Sequence, residues 1–342
     1  MKVLFQAYHD IGRMYGGGPS VVRNLAAELA GLGVEVTFHD YWRHDPRGFD
    51  LVHYFSLYDP FNWLRRAPGD PPLVVTPISW LASSWRRRAE GRLKFALRVL
   101  RHRTRDRARL GDPFVVPSHW FPNSEGEAAH LARAAGVPRS KMTIVPHGVA
   151  RRFLEGDPEA FARAHGVRDF VLCVGRFEHP RKNQLALVRA LRGTGVPLVL
   201  VGGPEPGHEW YYERCRREAD AAARFVGPIG HDDPLLASAY HACKVIVQPG
   251  LLESPGLVAL EAALGGANVA TTAGGSTREH FAELAWYFDP RDPAAIRRAV
   301  LAAHAAPRTG AMRHRVLGRY TWDRIAQAQL DAYGRALRPA PG

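Results

Sequence analysis

Short runs of Val, Leu and Phe alternate with segments of helical period along almost the whole chain, and this alternation limits the possible folds more than any other feature. Val3–Phe5 is followed by a helical pattern over Val21–Leu29, then by Val34–Phe38, Leu51–Tyr54 and Leu73–Val75. Such a series predicts a parallel sheet with crossover helices. It continues through Phe114–Val116, a helix over about Glu125–Ala135, and Thr143–Val145 before the turn Pro146-His147-Gly148. The polar stretch from Gly156 to Gly166, which contains proline and glycine, reads as a linker. Beyond it the pattern restarts with Phe170–Val174, Leu198–Val201, Phe225–Val226, Val245–Val247, Asn268–Thr271 and Trp286–Phe288. Two doubly wound α/β domains in tandem are expected, over 1–160 and 161–320, each with a ligand crevice at the carboxyl ends of its strands. A terminal helix over Trp322–Leu337 and its tail make up 321–342, and are expected to cross back to the first domain. A length of 342 residues suits two domains better than one.

Composition removes several classes. With 46% hydrophobic and 23% charged residues the chain is neither a disordered tail nor a collagenous fibre. Its three cysteines, Cys173, Cys215 and Cys243, form no C-x-x-C pair, which argues against a zinc ribbon or a disulfide scaffold and suits a reducing compartment. Met1–Ala7 holds an apolar stretch too short for a signal sequence, and no run of 18 apolar residues occurs, so a cytoplasmic protein without a membrane span is expected. The net charge of +13 is unevenly spread: between Trp85 and Leu110 eleven Lys/Arg stand against Glu90 and Asp106, a net of +9, and the remainder carries +4. Leu93, Phe95, Leu97 and Leu100 are interleaved with these bases, as in a basic amphipathic helix on an anionic membrane surface. That is the leading reading, with peripheral attachment to the inner face of the membrane as its consequence. A solvated helical face is the plain alternative, and a nucleic-acid patch comes third because no nucleic-acid-binding signature accompanies it, so no nucleic acid is expected as partner.

Three places carry the chemistry. The first is Tyr15-Gly16-Gly17-Gly18-Pro19-Ser20, a glycine-rich turn that follows the first strand and opens a helix at Pro19 or Ser20, where backbone N–H groups would face an anion. A plain tight turn accounts for it equally well. In the second, the strand Phe170–Val174 runs into Gly175-Arg176-Phe177-Glu178-His179-Pro180-Arg181-Lys182-Asn183, so Arg176 and Lys182 leave a strand end at the place where doubly wound domains bind phosphates. In the third, the strand ending at Gln248 leads through Pro249-Gly250-Leu251-Leu252 to Glu253, then to a helix near Gly256, Leu257 and Val258 that carries Glu261. Both carboxylates can face one crevice while the helix N-terminus offers free N–H groups.

The segments Glu253–Glu261 and Gly175–Asn183, with Phe225-Val226-Gly227-Pro228-Ile229, resemble the retaining glycosyltransferases of the GT-B fold, family 4, also called glycosyl transferases group 1. The resemblance spans nearly the whole chain and is most specific in the second domain. It implies two Rossmann-like domains with a nucleotide-sugar donor in the cleft between them and an acceptor on the side of the first. It places Glu261 on the ribose hydroxyls, Glu253 on the transferred sugar, and Arg176 and Lys182 on the diphosphate, with Gly256, Leu257 and Val258 supplying the helix end. Val226, Gly227, Pro228 and Ile229 would line the base through backbone contacts, and Gly16 and Gly17 would belong to the first-domain loop near the diphosphate and the acceptor. The chain departs from the family pattern at Pro255, where an aromatic is usual, at Thr76-Pro77-Ile78-Ser79, where a histidine is often found, and at His147-Gly148 in place of Asn-Gly. His53, His119 and His9, all near strand ends, are the acceptor-side candidates.

The resemblance implies transfer with retention of anomeric configuration, by front-face attack through an oxocarbenium-like state, from a UDP-, GDP- or ADP-sugar to a glycan, lipid-linked or small-molecule acceptor. No Asp-x-Asp occurs, so no metal and no cofactor beyond the donor is expected; the two cations and the helix end would take up the charge growing on the diphosphate. The competing readings are a nucleotide-sugar epimerase or hydrolase of the same fold, against which the glutamate pair and the Gly175-Arg176 loop argue, and a basic nucleic-acid-binding protein.

Overall fold

A computed structural model describes residues 1–7, 16–40, 42–56, 69–78 and 117–338. His9, the expected strand at Phe114–Val116 and the basic stretch 85–110 lie outside these residues. The chain divides into two compact units, Met1–Gly148 together with Trp322–Gly342, and Val149–Thr321.

Among the described residues of the first unit five parallel strands, β1 (Lys2–Ala7), β2 (Glu35–Phe38), β3 (Leu51–Phe55), β4 (Leu73–Thr76) and β5 (His119–Trp120), form a sheet of order β2-β1-β3-β4-β5. The reversal of winding falls between β1 and β3, the flavodoxin-like arrangement. The helix Gly17–Gly31 starts slightly earlier than Pro19, with Gly16 as its N-cap at φ 137°, a left-handed value that suits glycine. Helix Glu125–Ala135 matches its expected span. Ser124 accepts from the Glu127 N–H at 3.0 Å, and Glu127 reaches back to the Asn123 N–H at 2.6 Å, a reciprocal cap that accounts for a buried glutamate. Thr143–Val145 is not a strand; Thr143 makes a single backbone bond to Trp120 at 3.0 Å.

The expected linker from Gly156 to Gly166 is instead ordered second-unit structure. Asp157 caps a helix over Pro158–His165, with proline at its first position, and Phe161 inside it is fully buried beside Phe170. An aromatic side chain anchored in that core moves the boundary from 160/161 to Gly148/Val149. At Gly148 an added Cβ would lie 2.6 Å from the Trp322 ring, so only glycine lets the terminal helix Trp322–Leu337 begin there. That helix belongs to the first unit, where Tyr333 packs edge-on against His53 and Phe121.

The second unit contains β6 (Val171–Val174), β7 (Leu198–Val201), β8 (Ala223–Gly227), β9 (Val245–Gln248), β10 (Asn268–Thr272) and β11 (Trp286–Phe288). All pair in parallel, in the order β11-β10-β9-β6-β7-β8. Alternate residues feed two cores: Leu172, Val199, Ile246 and Val269 enter one, while Val171, Cys173, Leu198, Leu200, Val245 and Val247 enter the other. A sheet covered on both faces needs apolar residues at every position, which is why these strands read as unbroken apolar runs. The three cysteines are free and buried, and burial pushes each thiol up to about 12, so they are packing groups.

Candidate active site

The winding of the second sheet reverses between β6 and β9, which are neighbours although two strands separate them in sequence. Loops leaving the carboxyl ends of such a pair diverge and leave a crevice between them. These are the loops that carry Arg176 and Lys182 on one side and Glu253 on the other. Their backbones are tied together, Leu251 N–H donating to Arg181 O at 3.0 Å and the Asn183 side-chain amide to Pro249 O at 3.0 Å. Gln184 reaches back to Arg176 O at 2.8 Å, so the whole turn between strand and helix is held by side chains immediately after it.

Lys182 Nζ lies 2.9 Å from Glu253 Oε1, and the side chains are 23% and 10% exposed. Partial burial makes this more than a surface contact, because each charge would be costly to leave unpaired. Arg176 instead pairs with Glu205, at 2.5 Å, in the loop after β7. The position of Glu253 is set by a third loop that sequence reasoning did not single out: Ser276 N–H donates to Glu253 O at 3.1 Å, and an added Cβ on Gly275 would sit 2.0 Å from that carbonyl. Gly274-Gly275-Ser276 after β10 was legible as a glycine-rich strand end, the same kind of signal as the one used for Gly16 and Gly17.

Gly256 adopts φ 87° and caps the helix Leu257–Leu264; a Cβ there would fall 2.4 Å from Gln248 Oε1. The first N–H groups of this helix, Leu257 and Val258, have no intrahelical acceptor and carry the positive end of its dipole, and both residues are half-buried. Glu261 follows one turn later and is buried. Its Oε2 accepts from the Tyr240 hydroxyl at 2.9 Å and its Oε1 from His231 Nε2 at 2.9 Å. His231 is the second residue that sequence reasoning missed; it lies just past Val226, Gly227, Pro228 and Ile229, in the loop that leaves β8. Of those four, Pro228 is exposed and the others are half-buried.

The first-unit candidates fare differently. His53 is fully buried inside β3, its Nδ1 2.6 Å from the Tyr333 hydroxyl and its Nε2 2.8 Å from Thr76 Oγ1. With both ring nitrogens occupied and no accessible surface it is a packing residue, contrary to the expectation that it meets an acceptor, and burial holds its pKa well below the usual 6.5. His119 is half-buried, with Nε2 2.8 Å from Thr143 Oγ1; burial first, then Arg335 and Lys141, lower its pKa. Gly16 and Gly17 sit at a helix start as described.

Two parallel α/β units, the second with a cation, carboxylate and helix-end cluster at the switch point of its sheet, define the structural class of the protein. Comparison with known proteins makes the class definite. The sequence model of the family Glycosyl transferases group 1 matches residues 168–305. D-inositol 3-phosphate glycosyltransferase of Geodermatophilus obscurus is 31% identical over 86% of this chain and 68% of its own length. The Kineococcus radiotolerans protein of the same name is 30% identical over 92% and 77%. Among solved structures, sucrose-phosphate synthase from Thermosynechococcus elongatus superposes with a TM-score of 0.74 at 22% identity, covering 98% of both chains. Anabaena HepE in complex with UDP-glucose superposes with a TM-score of 0.72 at 16% identity, covering 98% of this chain and 100% of its own. The chain belongs to the group 1 glycosyltransferases, and its fold matches the GT-B structures of such enzymes.

Proposed function

We propose that this glycosyltransferase is a retaining, metal-independent enzyme that takes a sugar from a nucleoside-diphosphate sugar and passes it to a hydroxyl acceptor. The observation that carries the reading is the meeting of Lys182, Glu253 and the N-terminus of helix Leu257–Leu264 at the β6/β9 switch point, with Glu261 one turn further in. As the bond from the anomeric carbon to the diphosphate breaks, negative charge grows on the leaving oxygens. Lys182, the helix N–H groups and Arg176, once exchanged from Glu205, would take it up, so that no metal and no cofactor beyond the donor is needed. The diphosphate competes with Glu253 for the Lys182 ammonium, and the carboxylate so released is free to accept from hydroxyls of the transferred sugar.

UDP-sugars stand first among UDP, GDP and ADP donors, supported by the HepE complex with UDP-glucose. Among glycan, lipid-linked and small-molecule acceptors, a phosphorylated polyol stands first: the relatives near 30% identity are named for D-inositol 3-phosphate, and a net charge of +13 draws anionic molecules in.

Calorimetric titration with UDP, GDP and ADP, followed by transfer assays with the best donor, tests this reading. Arg176→Ala and Lys182→Ala should each weaken diphosphate binding about 10- to 100-fold, the range for losing charge-assisted hydrogen bonds of roughly 1.5 to 3 kcal/mol. EDTA should leave transfer unchanged, and NMR of the product should show the donor's anomeric configuration. Unaltered turnover in both folded variants would remove the phosphate assignment, and activity lost to EDTA and restored by manganese would remove metal independence.

A further inference from the structure

His231 is held by more contacts than a loop residue needs. The Arg152 guanidinium carbon lies over the Phe153 ring, 4.8 Å from its centroid, and the side chain pairs outward with Asp232 at 2.9 Å. From there its NH2 group donates to His231 Nδ1 at 2.5 Å and to His231 O at 3.2 Å. A guanidinium has no acceptor, so Nδ1 must be unprotonated, and the proton of the neutral ring sits on Nε2. That N–H is the one directed at Glu261 Oε1, 2.9 Å away. Phe153 meets the His231 ring edge-on at 5.4 Å, which limits its rotation. On its other side the carboxylate is anchored in the core by the fully buried Tyr240.

Among the described residues each Glu261 oxygen therefore accepts one bond. A carboxylate offers about four lone-pair sites, so one remains on each oxygen. Two acceptor sites side by side match two hydroxyls on adjacent carbons. Glu261 is 7% exposed and His231 32%, so the ring stands at the outer edge of this carboxylate.

We propose that His231, set in one tautomer by Arg152, is a positioning residue that aims Glu261 at the vicinal hydroxyls of the donor's ribose. The inference rests on the proposed reading of Glu261 as the ribose-binding group. His231 does not touch the reacting atoms; it fixes which Glu261 lone pairs face outward, and with them the preference for a ribose over a sugar lacking those hydroxyls.

The test is titration of wild type, His231→Ala, His231→Gln, Arg152→Met and Glu261→Ala with UDP, GDP and ADP, each against its 2′,3′-dideoxy form. Wild type should prefer the ribose forms. His231→Ala should lose about 10-fold of that preference, the scale of one hydrogen bond to a charged group, with dideoxy affinity unchanged. His231→Gln should retain most of it, since its amide can donate to Glu261 and accept from Arg152. Arg152→Met should lose part of it, and it stands in for His231→Ala should that variant not fold. In turnover assays the His231→Ala loss should appear in the donor KM with kcat nearly unchanged. If His231→Ala keeps the ribose preference while Glu261→Ala abolishes it, the role of His231 is overturned and the reading of Glu261 stands. An equal loss for ribose and dideoxy forms also overturns it, since His231 would then only shape the loop. If Glu261→Ala itself keeps the preference, the ribose reading falls and the inference falls with it.

Discussion

Lys182 and Glu253 were both legible as residues, yet their partnership was not. Nothing in a separation of 71 positions says that an ammonium and a carboxylate will stand 2.9 Å apart. The pairing changes what a substitution should do. Glu253→Gln removes the neutralising partner of Lys182, so affinity for free nucleoside diphosphate should hold or rise while kcat falls. On the proposed reading Glu261 grips the donor throughout, so Glu261→Gln should raise the donor KM about 10-fold with a smaller change in kcat. Steady-state kinetics with varied donor separates the two, and equal losses confined to KM in both variants would contradict the division of roles. His53 shows the opposite error. A histidine near a strand end invites a functional reading, but only the packed structure reveals that Tyr333, 280 positions away, and Thr76 occupy both its nitrogens.

At the scale of elements, glycines decide how closely the loops of the site approach. Gly275 has φ 92°, and its missing Cβ leaves room for the Glu253 carbonyl, which belongs to backbone and cannot swing aside. Gly275→Ala should therefore destabilise the protein by about 2 kcal/mol or more, a typical cost for a strained position with a steric clash, and should lower kcat by displacing Glu253. Urea unfolding alongside transfer assays checks both effects; a variant of wild-type stability would show that the loop yields freely. The terminal helix Trp322–Leu337 carries a different consequence, because its Tyr333 covers a histidine whose pKa burial holds well below 6.5. In the unfolded chain His53 takes up a proton near its ordinary pKa, whereas the folded form stays neutral. Below about pH 6.5 the unfolded state thus binds more protons, and stability falls as pH drops until the folded pKa is passed. The expected slope from this residue approaches about 1.4 kcal/mol per pH unit. His53→Gln should flatten the difference between urea midpoints at pH 7.5 and 5.5, though a residual slope from the buried His280, whose pKa burial also lowers, should persist. An unchanged slope would show that His53 is protonated alike in both states.

At the scale of the whole molecule, charge is distributed as unevenly as chemistry. The stretch 85–110 holds a net of +9 and lies outside the described residues, and no helix among those residues is long and apolar enough to cross a membrane. Basic side chains near an anionic bilayer contribute on the order of 1 kcal/mol each before screening. Co-sedimentation with anionic vesicles should therefore be strong at 50 mM salt, weak at 300 mM, and lost when Arg98, Arg101, Arg103 and Arg105 are changed to Gln. Equal partitioning of wild type and variant would remove the membrane reading and leave a solvated or acceptor-facing surface. Fold class, the number of units and the inner strands β6, β7 and β9 of the second sheet could be read directly from the chain, because a strand buried on both faces must be apolar at each position whatever its neighbours are. The helix over Pro158–His165 was misread as a linker, since its polar residues and its proline and glycine dominate the local pattern while a single buried aromatic, Phe161, ties it to a core. The cations and carboxylates of the site were legible because glycine turns at strand ends mark where ligands bind in such sheets. Their pairings, the clamp on Glu253 by Gly275 and Ser276, and the support of Glu261 by His231 and Tyr240 were decided by the tertiary structure alone. A hydrogen bond forms between groups that the fold brings within about 3 Å, and that distance depends on strand order and loop path, which no single stretch of sequence contains.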